Sequence, residues 1–287
     1  MKTNLECIPC LIKQSLEASR MATHNENIQK QVLKEVMKHL LTIEFNNSPP
    51  ELSREIHTII KTLTKTNDPY KTVKIKSNKQ AKSLYPQLKK MIENSEDHLL
   101  AAIKLAIVGN VIDFGTLNRF DLKDMIDSAL HKKFDESSYP QFQKRLSESK
   151  TILYIADNSG EIFFDKLLLE ELVKRKKKVT YVVKANPIIN DVLTEDALYA
   201  GIDELATIIE GDAGQKKSAP GMVLHYISDE FNHKLKTSDM IISKGQGNYE
   251  ALNNYDREIF FLLMIKCPLV AKDIGIDMGQ LVLKVKQ

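Results

Sequence analysis

The 287-residue chain holds only three cysteines, no long apolar run and almost no excess of either charge. A small, odd number of cysteines in a chain of this size argues against a secreted disulfide framework and fits a reducing compartment. No stretch approaches the roughly 20 apolar residues of a membrane span, and the start lacks a basic head followed by an apolar segment. A cytoplasmic protein without a membrane partner is expected. Forty-one basic residues face 38 acidic ones, and the densest basic run, 174–178, sits where a solvated helix end belongs, so no nucleic-acid partner is expected. Internal repeats, a Gly-x-Gly-x-x-Gly dinucleotide fingerprint and a Walker loop are all missing. The seven histidines are scattered without the spacing of a ligand pair or a catalytic dyad.

What is present is a chain with 43% hydrophobic residues, enough for one large domain or for a body with a smaller lobe. Up to about residue 148 the apolar residues recur at helical spacing, as in Leu33, Val36, Met37, Leu40 and again Leu99, Ile103, Ala106, Ile107. Breakers at 46–50 and 67–69 separate helices without suggesting strands. From about 149 the pattern changes to short β-rich runs at 151–156, 179–184, 206–210, 240–243 and 259–265, separated by helical or loop stretches. A last run at 281–285 alternates apolar and basic residues as an edge strand does. The expected fold is α/β, a three-layer α/β/α doubly wound, mainly parallel sheet, with a multihelical lobe at 1–148 and the α/β body at 149–287.

In such a sheet ligands bind beyond the carboxyl ends of the strands, and three of those ends are unusually polar. The first reads Asp157, Asn158, Ser159, Gly160, Glu161: two oxygen ligands for a hard cation at the opening of a helix whose N–H groups suit an anion. Asp157 or Ser159 as a mere helix cap is the plainer reading of that segment alone. Asp191 follows the second strand and equally reads as an N-cap. The third end, Lys244 to Glu250, offers a lysine charge for phosphate and two glycines, Gly245 and Gly247, for close backbone approach, with Asn248 beside them. Asn110 and Asp113, one helical turn apart, either reach the substrate from the helical half or end a helix.

Taken together, these segments resemble the damage-control phosphatases, in the Cys-x-x-Cys branch of archaea and bacteria, of nucleotide phosphatase I type. The resemblance rests on Glu6-Cys7-Ile8-Pro9-Cys10, Gly109 to Gly115, Asp157 to Glu161, Asn190-Asp191, Lys244 to Glu250 and Lys266-Cys267-Pro268. It implies a metal-dependent phosphatase acting on sugar phosphates and on damaged or surplus phosphorylated metabolites. Asp157, Asn158 and Asp191 stand at the metal-ligand positions. The implied cofactor is one divalent ion, Mn²⁺, Mg²⁺, Ni²⁺ or Co²⁺, which oxygen donors suit better than a thiolate metal. Substrate contacts are expected from Lys244, Asn110, Asp113, Ser159, Gly160, Glu161, Gly245 and Asn248, with in-line attack by a metal-activated water. A nucleophilic Asp157 is the alternative.

Cys7, Cys10 and Cys267 read either as small apolar packing residues or as accessory thiols for metal or redox chemistry. Two other functions compete with the phosphatase. A Rossmann-like transferase or methyl-donor enzyme would use the loop at Asp157 but lacks its glycines, and a Cys-x-x-Cys metal-binding interaction module would use the body as a scaffold.

Overall fold

The computed structural model describes residues 1–110, 126, 128, 130, 133–214 and 218–286. Among them the chain forms five helices, α1 (Cys7–Ala22), α2 (Glu26–Leu40), α3 (Pro49–Thr64), α4 (Lys71–Glu93) and α5 (His98–Gly109), before a two-residue strand, β1 (Phe134–Asp135), and α6 (Tyr139–Glu148). The breakers at 46–50 act as a helix start: Ser48 and Glu51 form a capping box, and Pro49 occupies the first turn, where its missing N–H costs nothing.

Strands and helices then alternate: β2 (Thr151–Ile155), α7 (Ile162–Lys174), β3 (Lys178–Val183), α8 (Thr194–Ala200), β4 (Ala206–Glu210), α9 (Asp229–Thr237), β5 (Met240–Lys244), α10 (Gln246–Leu252), β6 (Ile259–Met264), α11 (Pro268–Ile274) and β7 (Leu281–Lys286). The sheet order is β1-β7-β6-β5-β2-β3-β4, parallel except between β6 and β7. The six longer strands begin and end within a residue of the expected ones. The exception is position: β7 is not the edge, because β1 pairs parallel outside it through Phe134–Leu281 and Asp135–Val282. Two residues carry too little pattern to announce a strand.

Alternate residues feed two cores. Ile152 and Tyr154 of β2 join α4 to α8 on one face, while Leu153 and Ile155 join α9 to α11 on the other. Burial of both faces explains why β2, β3, β5 and β6 are continuous apolar runs rather than alternating ones. The helical half does not pack as one body. Helices α1 to α3 share a core of their own around Val36, Leu52 and Ile56, whereas α4, α5 and α6 lie on the sheet. No described helix is long and apolar enough to cross a membrane.

The sheet is wound outward in both directions from β2 and β5, which are neighbours paired at Ile155–Ser243. That pair is the topological switch point, where the loops beyond the strands diverge and leave a crevice. Asp157 leaves β2 there, and Gly245 leaves β5 beside it.

Candidate active site

The loops after β2 and β3 are stitched together by short antiparallel pairing between Asn158 and Asp191. Val192 N donates to Asp157 O at 2.9 Å and Ser159 N donates to Asn190 O at 2.9 Å. Two loops that would otherwise splay are thereby fixed with both acids on one side. The loop after β5 closes from the third direction. Gly245 has φ +79°, and a Cβ there would overlap the Asp157 carboxylate, so only glycine permits this approach.

The donors around Asp157 orient it. Its Oδ2 accepts from Asn110 Nδ2 at 2.5 Å and from Asn158 Nδ2 at 2.7 Å. The same two amides donate to Glu161 Oε2, at 2.8 and 3.3 Å. Asn158 thus spends its donor side inside the protein, leaving its carbonyl oxygen as the ligand-type atom. Asp191 Oδ2 is buried without a hydrogen-bond partner, its nearest cation being Lys184 Nζ at 3.8 Å. Burial and the neighbouring Glu161 push the Asp157 carboxyl up to about 7, against Lys266 and Lys244. Burial also raises Asp191 well above the carboxylate range, with Lys184 opposing and Asp157 and Asp212 adding to the rise. Crowded, underpaired carboxylates of this kind fit a cation. Among the described residues no three or more His, Cys, Asp or Glu side chains form a metal cage. The donor set is two carboxylates and an amide, which suits an ion that keeps several waters.

Asp157, Asn158 and Asp191 line a cavity of about 500 Å³ with Cys7, Cys10, Cys267, Lys266 and Glu250. The larger hollow of about 850 Å³ along the open edge at β4 holds none of these groups, and the chemistry argues for the smaller one. The three cysteines are free, and burial raises the pKa of each thiol, which makes them poor nucleophiles at neutral pH. Cys267 caps α11, its Sγ accepting from Val270 N at 3.5 Å and from Gln246 Nε2 at 3.4 Å.

Lys244 departs most from the sequence reading. It is fully buried and faces away from the cavity, with its ammonium donating to Ala106 O at 2.8 Å, Asp165 Oδ1 at 2.6 Å and Glu161 Oε1. Three protons with three partners leave none for phosphate. Glu161 is buried in the same network, and Asp165 also accepts from Tyr154 and Tyr181 at 2.7 and 2.9 Å. The expected anion-binding helix start is likewise occupied, since Ser159 N is paired as above and Gly160 N donates to Asn78 Oδ1 at 2.6 Å. Gly245 N donates to Leu262 O at 3.0 Å. Asn248 is a brace, donating to Ala156 O and Lys244 O at 2.9 and 2.8 Å and accepting from Met222 N at 2.9 Å. Asn110 reaches the site as expected but acts on Asp157. Asp113 lies outside the described residues.

The cation that does line the cavity is Lys266, exposed, with Nζ donating to Asn110 O at 2.8 Å. Its signal was available: it follows β6, a fourth strand end, to which the rule about carboxyl ends applies equally.

Comparison with known proteins identifies the family and the fold. The profile of the damage-control phosphatase ARMT1-like domain matches residues 3–282. A damage-control phosphatase of Archaeoglobus fulgidus is 33% identical over 99% of both chains. The damage-control phosphatase PH1575 of Pyrococcus horikoshii is 34% identical over 98% of this chain and 97% of its own. An uncharacterized protein of Methanocaldococcus jannaschii is 36% identical over 99% of this chain and 95% of its own. The crystal structure of PH1575, described as a DUF89 family protein, superposes with a TM-score of 0.90 at 31% identity, covering 100% of both chains. A match spanning nearly the whole sequence places this chain in the damage-control phosphatase family.

Proposed function

We propose that the chain is a metal-dependent phosphomonoesterase for small phosphorylated metabolites, such as sugar phosphates and damaged or surplus nucleotides. In this reading Asp157, Asn158 and Asp191 hold one Mg²⁺, Mn²⁺, Co²⁺ or Ni²⁺ ion. The observation that carries it is the buried, unpartnered Asp191 Oδ2 stitched beside Asp157 at the switch point. Such an ion, when bound, neutralises phosphoryl charge and makes water a better nucleophile near neutral pH.

The chain's own residues supply the rest. Lys266 brings a point charge to the cavity for a phosphoryl oxygen. Asn110 and Asn158 fix the Asp157 carboxylate, so its geometry is set before substrate arrives. Glu161 accepts from both amides from behind, Lys244 holds Glu161, and Asp165 holds Lys244, so all three are positioning residues. Leu11, Pro49, Pro50, Ile189 and Leu269 give the cavity apolar walls for the non-phosphate part of a small metabolite.

The test is phosphate release across sugar phosphates and nucleotides, with Mg²⁺, Mn²⁺, Co²⁺ and Ni²⁺ supplied in turn. Release that needs a divalent ion and drops at least a hundredfold in Asp157→Ala and Asp191→Ala is expected. Release insensitive to chelator, or near-normal turnover in either variant, would overturn the assignment.

A further inference from the structure

The sheet ends at β4, whose outer edge carries backbone groups of its own. Gly211 N donates to Val183 O at 2.8 Å, which with the register of Val183 on Glu210 turns Ile209 and Thr207 toward β3. Direction alternates along a strand, so Ala206, Ile208 and Glu210 point their N–H and C=O groups outward.

The chain closes both ends of this edge itself. At the start Ala206 N donates to Ile202 O at 2.9 Å, and at the finish Glu210 O accepts from Ser228 Oγ at 2.8 Å. Just beyond, Asp212 pairs antiparallel with Ile227. Ala206 O, Ile208 N, Ile208 O and Glu210 N remain between, without a partner among the described residues. Edge strands that stay single are blunted by charge, proline or a bulge. Thr207, Ile208 and Ile209 supply no charge and no proline, and the one-to-one register with β3 has no bulge.

The four open groups form a self-complementary set. When two such edges run antiparallel about a two-fold axis at Ile208, the two Ile208 residues exchange both hydrogen bonds, and each Glu210 N faces the other copy's Ala206 O. The pair that this register sets opposite each other and leaves unbonded, Ala206 N and Glu210 O, is the pair already satisfied within the chain. Moving the axis to Thr207 leaves Glu210 N unmatched, and moving it to Ile209 leaves Ala206 O unmatched. An unrelated strand would bring a carbonyl to the occupied Ala206 N and an N–H to the occupied Glu210 O, and both would lose a partner. A second copy of this edge loses nothing.

Side chains agree with that pairing. Opposed residues of an antiparallel pair share a face, so the two Ile208 side chains meet on the side of α7 and α8, beside Val173 and Leu198, which are 36% and 53% exposed. The hollow of about 850 Å³ on that face, and one of about 590 Å³ on the other bordered by Ile227 and Ser228, leave both sides of the edge open. Lys177, Lys178 and Asp203 stand at the start of the edge and Glu210 at its finish, so antiparallel order sets a net positive end against a negative one.

We propose that β4 is a homodimer interface, through which two copies of this chain join their sheets edge to edge along Ala206–Glu210. The phosphatase assignment does not bear on it, since no residue of the candidate active site lies in β4.

The test is sedimentation of the full chain from about 1 to about 100 µM, with hydrogen exchange followed at single amides over the same range. A dimer is expected, with exchange slowed at Ile208 and Glu210 and the slowing lost on dilution. Ile208→Lys, which sets like charges opposite each other across the axis, should raise the dissociation constant at least tenfold. Met278→Lys, at a 54% exposed position on the loop before β7, toward the other end of the sheet, should leave it unchanged. The exchange measurement uses the unaltered chain, so it decides the matter even if Ile208→Lys fails to fold. A monomer throughout, a dimer in which the Ile208 and Glu210 amides exchange as fast as in dilute protein, or a dimer undisturbed in folded Ile208→Lys would each overturn the proposal.

Discussion

Lys244→Met removes the charge behind the site while keeping most of the side-chain volume. In the native protein Lys244 is fully buried, and Asp165 and Glu161 outweigh the burial that would otherwise lower its pKa, holding it above the usual value. Without it, Glu161 and Asp165, at 0% and 1% exposure, become buried carboxylates with no cation. Removing one partner from a buried charge pair costs roughly 3–5 kcal/mol, because the remaining charge is left uncompensated. Tyr154 and Tyr181 still donate to Asp165, and Asn110 to Glu161, so the lower half of that range, about 3 kcal/mol, is expected at pH 8. The variant can recover part of it by protonating a carboxylate. Its folded-state pKa values then lie above the unfolded ones, the folded variant binds more protons, and its deficit shrinks as the pH falls from 8 to 5. Urea unfolding at both pH values measures this directly, and adding Glu161→Gln should restore stability at pH 8. A loss below about 1 kcal/mol, the range of an exposed pair, or a deficit that grows toward pH 5, would refute the buried network.

Gly245→Ala should destabilise the fold and weaken divalent-ion binding more than tenfold, because its Cβ would overlap the Asp157 carboxylate. Gly275→Ala, at the same φ of +79° but in open space, should cost only the backbone penalty of about 1–2 kcal/mol and leave ion binding intact. Equal ion affinities in the two variants by calorimetry would contradict the close approach. Burial holds the Glu250 carboxyl up to about 7 against the Gln246 hydrogen bond and the N-terminal ammonium. Its stabilising contribution is present below its unfolded value of 4.5 and is lost as the pH rises toward 7, a span worth roughly 3 kcal/mol. Glu250→Gln should flatten that slope in urea unfolding between pH 5 and 8, and an unchanged slope would count against it.

The reach of the sequence was uneven for physical reasons. Strands buried on both faces announce themselves as apolar runs, as β2, β3, β5 and β6 do, and β7 shows itself by alternation, so these strands and the positions of the acids just beyond β2 and β3 are legible. The pairing of Asn158 with Asp191 was not, since a bridge between two loops leaves no periodic trace. Lys244 was misread because a lysine after a strand has the same appearance whether it meets a phosphate or a buried acid. The sign that separates the two cases lies elsewhere, in Glu161 and Asp165. They sit four residues apart at the start of a helix that opens on Ile162, Phe163 and Phe164, and carboxylates turned into a core need a cation. Lys266 has no distinguishing motif of its own, yet its place after β6 is as informative as that of Asp157 after β2.

In the proposed function, Asp157, Asn158 and Asp191 hold one hard divalent ion. Titration of metal-free protein with Mn²⁺, followed by calorimetry and by the spectroscopic signal of the free ion, tests it without reference to any substrate. One ion per chain is expected, with affinity reduced at least a hundredfold in folded Asp157→Ala, Asn158→Ala and Asp191→Ala, and unchanged when Cys7 and Cys10 are both replaced by serine. Full stoichiometry and affinity retained in folded Asp191→Ala, or binding abolished by the double cysteine variant alone, would contradict it.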